Sequence, residues 1–125
     1  MEIGKALLKR LQEEDTIKNN SVKKFHRCHY IYFILDTEYN AVKIGVSKNA
    51  KDRLRSLQSA NLHPLQILKT IKFRRTGSDE KEAQAAATMA GFKREKEIHT
   101  KFDNHLIRNE WFRHEDTLKE FIERL

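Results

Sequence analysis

Two short alternating segments lie back to back in the first half of the chain, and their pairing constrains the fold more than any other feature. Tyr30-Ile31-Tyr32-Phe33-Ile34-Leu35 alternates as a strand, as does Ala41-Val42-Lys43-Ile44-Gly45-Val46, and Asp36 to Asn40 between them is turn-like. With Thr37 to Asn40 as the loop, Asp36 faces Ala41 and the register of the hairpin follows. One face then carries Ile31, Phe33, Leu35, Val42, Ile44 and Val46, and it is wholly apolar. The other carries Tyr30, Tyr32 and Ile34 with Lys43, Gly45 and Ser47. Tyr32 and Lys43 become diagonal neighbours, with Gly45 leaving room beside them. A phenol and an ammonium held together on a rigid hairpin form a candidate site.

The remaining elements place that hairpin in a fold class. Ser47, Lys48 and Asn49 supply cap candidates for a helix running to about Ala60. Leu65 to Phe73 alternates as a third strand, and Arg75 to Asp79 reads as a loop. Residues 80–90 favour a helix that Gly91 kinks or ends, after which a helical stripe resumes at Phe92 and continues to about Leu106. Leu118, Phe121, Ile122 and Leu125 mark a last helix, with Thr117 and Glu120 as a capping box. Ile3, Leu7 and Leu11 form the stripe of an amphipathic helix over residues 3–17, suited either to intramolecular packing or to a homodimer contact. The reading is one α+β domain: a small three-stranded antiparallel sheet flanked by helices, with residues 1–28 as a helical extension and 29–125 as the main body.

Charge narrows the partner. The 125 residues carry a formal charge of +7, which favours a polyanion, and nucleic acid is the commonest one for a small basic protein. One cysteine forbids an internal disulfide, no apolar run approaches the ~20 residues of a membrane span, and the first residues lack a signal-peptide core. An intracellular DNA-binding protein without a membrane partner is expected.

Two charges sit on apolar stripes. Arg53 falls between Ala50 and Leu57 on the face that must meet the sheet, and Glu95 falls among Phe92, Ile98, His99, Phe102 and Leu106. A structural ion pair between them is the plain alternative, because an unpaired buried ion costs several kcal/mol or more. Together with Tyr32 and Lys43 they make a set with chemical uses: a guanidinium for phosphate, a carboxylate for metal, and a phenol whose proton a nearby cation could loosen. Both are expected to point toward the Tyr32 face. Lys51, Arg55, Lys69, Lys72, Arg74 and Arg75 are candidate phosphate contacts. His26, Cys28 and His29 are too crowded for an ordinary zinc site.

These residues, in this order, resemble the GIY-YIG nuclease superfamily. Tyr30-Ile31-Tyr32 matches its first motif with Tyr30 in place of glycine, and Lys43-Ile44-Gly45 matches its second with Lys43 in place of tyrosine. Arg53 stands eight positions after Gly45, where the family arginine lies, and Glu95 opens the Glu-x-x-apolar run. A tighter resemblance is to a phage- and fungal-type branch often labelled a DNA-binding domain. It rests on Lys43 to Val46, on Arg53 to Leu57, on Glu95 to His99 and on Glu110-Trp111-Phe112, covering about residues 29 to 113. Leu57 and Val46 occupy places where other members carry histidine, and Asn109 is matched to a C-terminal family asparagine. The resemblance implies hydrolysis of a DNA phosphodiester with one divalent ion, Mg²⁺ or Mn²⁺, held by Glu95. It assigns Arg53 to the phosphate and Tyr32, assisted by Lys43, to the attacking water, with Tyr30 and His99 as further candidates near the site. A non-cleaving DNA-binding module on the same fold is the alternative.

Overall fold

Asp36 closes the first turn. It is 5% exposed, and its Oδ1 accepts hydrogen bonds from the backbone N–H groups of Glu38 and Tyr39 at 3.0 and 3.3 Å, an arrangement in which the side chain stands in for a backbone turn. Asn40 then takes φ 51°, in the left-handed region that asparagine tolerates. Strands β1 (Phe25–Asp36) and β2 (Ala41–Ser47) pair antiparallel, with Asp36 opposite Ala41 and Tyr32 opposite Gly45. That is the expected register. The computed structural model describes residues 25–125, so the helix expected over 3–17 lies outside the described residues.

Beyond β2, Asn49 caps helix α1 (Ala50–Ser59) by accepting from the Asp52 N–H at 3.1 Å. Strand β3 (Leu65–Gly77) pairs with the whole of β1 and absorbs Arg75 to Gly77, residues whose composition predicts a loop. Pairing to a long neighbour overrides the turn composition there. Helix α2 runs unbroken from Glu80 to Lys101, so Gly91 does not end it. A Cβ at Gly91 would stand 3.2 Å from Val46 Cγ1, so the glycine allows the helix to lie close on β2. After a 3₁₀ turn at Asp103–His105 come β4 (Leu106–Arg108), β5 (Trp111–Arg113) and helix α3 (Asp116–Glu123).

The sheet therefore has five strands in the order β3-β1-β2-β5-β4, not three. The two added strands are three residues each, too short for alternation to register in sequence. Leu106 begins β4 rather than ending the helical stripe, and it is exposed, as is Phe92. The proposed capping box is not formed: Glu115 is the N-cap of α3 and makes no side-chain cap bond.

Both faces of the sheet are covered. Ile31, Phe33, Val42 and Ile44 pack with Ile98 of α2 and Phe102 at its C-cap, Phe112 of β5, and Leu118 and Ile122 of α3. On the reverse, Tyr32 and Ile34 pack with Ala50, Leu54 and Leu57 of α1 and with Leu65 and Trp111. Each large apolar side chain so buried contributes about 1.5–3 kcal/mol. The outcome is a fixed central hairpin whose tyrosine face is overlaid by one short helix.

Candidate functional site

Tyr32 anchors the site because it is buried at 1% exposure while its hydroxyl meets a charged group. Arg53, one turn into α1, donates from Nε to the Tyr32 hydroxyl at 3.3 Å. The helical stripe that carries Ala50 and Leu57 onto the sheet makes this contact, as the spacing predicts. The rest of the Arg53 guanidinium makes no other protein hydrogen bond among the described residues. Gly45 directly opposes Tyr32, and a Cβ there would lie 2.2 Å from the hydroxyl oxygen. Here glycine is required for space; its backbone is ordinary.

Lys43 is not the cation beside the phenol. Its Nζ pairs with Glu110 Oε1 at 3.3 Å and lies over the Trp111 ring, 5.6 Å from the centroid. Burial raises the Tyr32 pKa from its ordinary value; the Arg53 hydrogen bond and charge oppose this, and the charges of Glu110 and Glu95 reinforce it. The upward direction corrects the expectation that a nearby lysine loosens the proton. At neutral pH Tyr32 is a neutral phenol that keeps its O–H.

Glu95 reaches the site from the other side of the sheet. Helix α2 packs on the Ile31 and Phe33 face, whereas Arg53 comes from the Tyr32 face, so the two do not overlie the tyrosine together as expected. β5 pairs with Ala41 to Lys43 of β2, and the Ile44 N–H donates to the Glu110 carbonyl just beyond that pairing. Burial raises the Glu95 pKa above the usual carboxylate value; His99 and Lys43 pull it down and Glu110 pushes it up. The carboxylate is therefore within charge range of Lys43, Glu110 and Tyr32. It opens on a hollow of about 580 Å³ shared with Phe92, Lys96, His99 and Thr100. Glu97 points away and pairs with Arg94 at 3.3 Å, as the helical wheel indicates.

His99 secures this approach. Its Nε2 lies 2.9 Å from the Ile44 carbonyl, which can only accept, so Nε2 carries the proton. The ring also packs edge-on against Phe112 at 4.9 Å between centroids. Asn109 has φ 55° in the β4–β5 turn, a backbone role that sets up the following residue.

That following residue is Glu110, a neighbour of the site that sequence reasoning missed. It stood in the Glu-Trp-Phe motif, but nothing in a three-residue strand shows which way a flanking side chain turns. Its backbone carbonyl accepts from the Ile44 N–H at 3.0 Å, and its Oε1 would lie 3.1 Å from a Cβ at Gly45.

The remaining candidates divide between faces. Tyr30 lies opposite Ser47 on the Tyr32 face, with Lys72 and Arg74 across the β1–β3 pair on that face and Lys51 and Arg55 exposed on α1. Lys69 reaches the Leu125 carbonyl at 3.4 Å, and Arg75 lies over the Phe73 ring; both are on the opposite face. His26 and Cys28 share one face of β1 and His29 takes the other, so the three cannot converge on a metal. Among the described residues no group of three or more metal-binding side chains converges, and no helix is long and apolar enough to cross a membrane.

A family model for the T5orf172 domain matches residues 29–125. The chain belongs to that family. The T5orf172 domain occurs in phage and related proteins and is often linked to endonuclease or DNA-binding roles. No curated protein and no solved structure matched the chain. The match spans every site residue named above, from Tyr30 to Glu110.

Proposed function

We propose that this chain is a metal-dependent DNA endonuclease that hydrolyses phosphodiester bonds, in keeping with the resemblance of its motifs to GIY-YIG nucleases. The observation that carries the reading is the company of the Tyr32–Arg53 contact. Two carboxylates, Glu95 and Glu110, lie within charge range of it. A surface that merely holds DNA gains from cations and has no use for carboxylates beside a phosphate-binding arginine. A catalytic centre does.

One divalent ion, Mg²⁺ or Mn²⁺, suits this donor set. Burial and Glu110 both disfavour the ionised form of Glu95, and a cation would relieve both. Mg²⁺ needs only one or two carboxylates, with several waters completing its coordination. When bound, the ion would polarise the phosphoryl group and steady the leaving oxygen. Arg53 would bind a non-bridging phosphate oxygen and offset charge growing in the transition state. Tyr32, kept as the phenol, would position the attacking water by hydrogen bonding rather than remove its proton. Lys43 would hold Glu110 in place through their ion pair.

The second reading is a T5orf172 domain that binds DNA without cutting it. The raised Tyr32 pKa favours it, as do Leu57 and Val46 where other GIY-YIG members place a histidine. A plasmid-nicking assay with Mg²⁺ or Mn²⁺ decides between them. The wild type should nick and Glu95→Ala should not, while Glu95→Ala binds metal-free DNA equally or more tightly because a repulsive carboxylate is gone. Arg53→Ala should lose both properties. A wild type that binds DNA yet leaves the plasmid closed with either ion would establish the second reading.

A further inference from the structure

We infer that the cleft between α1 and β3 is a binding site for an unpaired nucleic-acid strand running away from the Tyr32–Arg53 contact. This rests on the nucleic-acid reading above and adds a place for a strand that is unpaired beside the position where the duplex is nicked. Two adjoining hollows form the cleft. One, of about 510 Å³, is lined by Tyr30, Lys48, Lys51, Ile67 and Thr70. The next, of about 710 Å³, shares Lys51 and Ile67 and adds Leu54, Arg55 and Gln58. The cleft borders the strand that carries Tyr32, since Thr70 directly opposes Tyr32 across the β1–β3 pair and Tyr30 is the next residue of β1 on that face.

Its chemistry is two-sided. Lys48, Lys51 and Arg55 line the hollows and, among the described residues, no carboxylate does, although Arg55 also pairs with Asp52 at 3.0 Å. On the same face Lys72 stands opposite Tyr30 and Arg74 opposite Cys28, which carries the cationic track past the aromatic ring. Between these cations lie the apolar surfaces of Ile67 and Leu54 and the ring of Tyr30. A duplex has phosphates for the cations, but its base faces are stacked on one another and would leave that apolar floor in water. An unpaired strand supplies both: a phosphate backbone for the lysines, and base faces for a ring and two aliphatic side chains.

The test uses the full chain in EDTA, a fluorescein-labelled mixed-sequence DNA strand, and the same strand annealed to its complement. Fluorescence anisotropy should show the single strand bound about ten-fold or more tighter than the duplex. Tyr30→Ala should remove most of that preference, and Tyr30→Phe, which keeps the ring, should restore it. In case Tyr30→Ala fails to fold, wild type is also photo-crosslinked to a strand containing 4-thiothymidine, and the adducts should map to Tyr30, Leu54 or Ile67. Equal affinity for both forms, or adducts confined to other faces, would overturn the inference while leaving the nuclease reading intact. Failure of both DNA forms to bind at low salt would remove both together.

Discussion

Gly45 is the residue on which the site is most sensitive to change. Its missing Cβ is filled by the Tyr32 hydroxyl, so Gly45→Ala must push a buried aromatic ring off its position. Overpacking of this kind costs about 1–3 kcal/mol, which a denaturant titration would register, and nicking should be lost with it. Tyr32→Phe, by contrast, removes one hydrogen bond and should cost about 1 kcal/mol while abolishing cleavage. Glu95 should show the reverse trade between stability and activity. Its pKa is raised on folding, so its stabilising contribution is complete below the unfolded value and is lost as pH rises through the folded one. At neutral pH the ionised carboxylate therefore works against folding. Glu95→Gln should raise the unfolding free energy at pH 7 by no more than about 1 kcal/mol because the group is only half-buried, and the gain should vanish below the usual glutamate pKa. An unchanged difference between pH 7 and pH 3 would show that burial is not the cause.

At the scale of elements, α2 is attached to the sheet by polar contacts as well as by packing. His29 of β1 is buried against Gln84 and Thr88 of α2, with ring nitrogens 3.3 and 3.4 Å from their side chains. Burial and the Lys48 charge lower its pKa below 6.5, against a backbone hydrogen bond at Cys28 that raises it. A depressed histidine supports the fold fully above the unfolded value and loses that support as pH falls toward the folded one. Unfolding free energy should thus decline as the medium is acidified from about pH 6.5, and His29→Gln should flatten that stretch of the curve. Further along the helix, His99→Phe would keep the ring against Phe112 but leave the Ile44 carbonyl without its donor, a loss of about 1–3 kcal/mol if no water replaces it. The hairpin, α1 and the Arg53 contact were legible in the sequence because strong alternation and an unbroken helical stripe leave one register each. β4 and β5 were not, since three residues hold no period, and Glu110 went with them. Nor could the stripe through Phe92 show that α2 lies over the opposite face, because a stripe marks what a helix buries and not which side of a sheet receives it.

For the whole molecule, the +7 charge predicts that DNA affinity falls steeply with added salt, as condensed counterions are released on binding. A log–log plot of affinity against salt should be linear. Replacing Lys72 and Arg74, which share the Tyr32 face, should shallow its slope more than replacing Lys69 and Arg75, which do not. The α+β class was readable from the order of elements, but the extension of the sheet by β5 and β4 at the β2 edge was not, because it depends on contacts between distant parts of the chain. Those contacts have a consequence for the order in which the protein is made. Tyr32, Lys43, Gly45 and Arg53 all belong to the early strands and first helix, whereas Glu95 and Glu110 come from the last third of the chain, and β5 must dock on β2 before Glu110 can meet Lys43. A chain still emerging from the ribosome thus has its arginine and phenol long before its acids, which on the proposed nuclease reading are the last parts of the site to arrive.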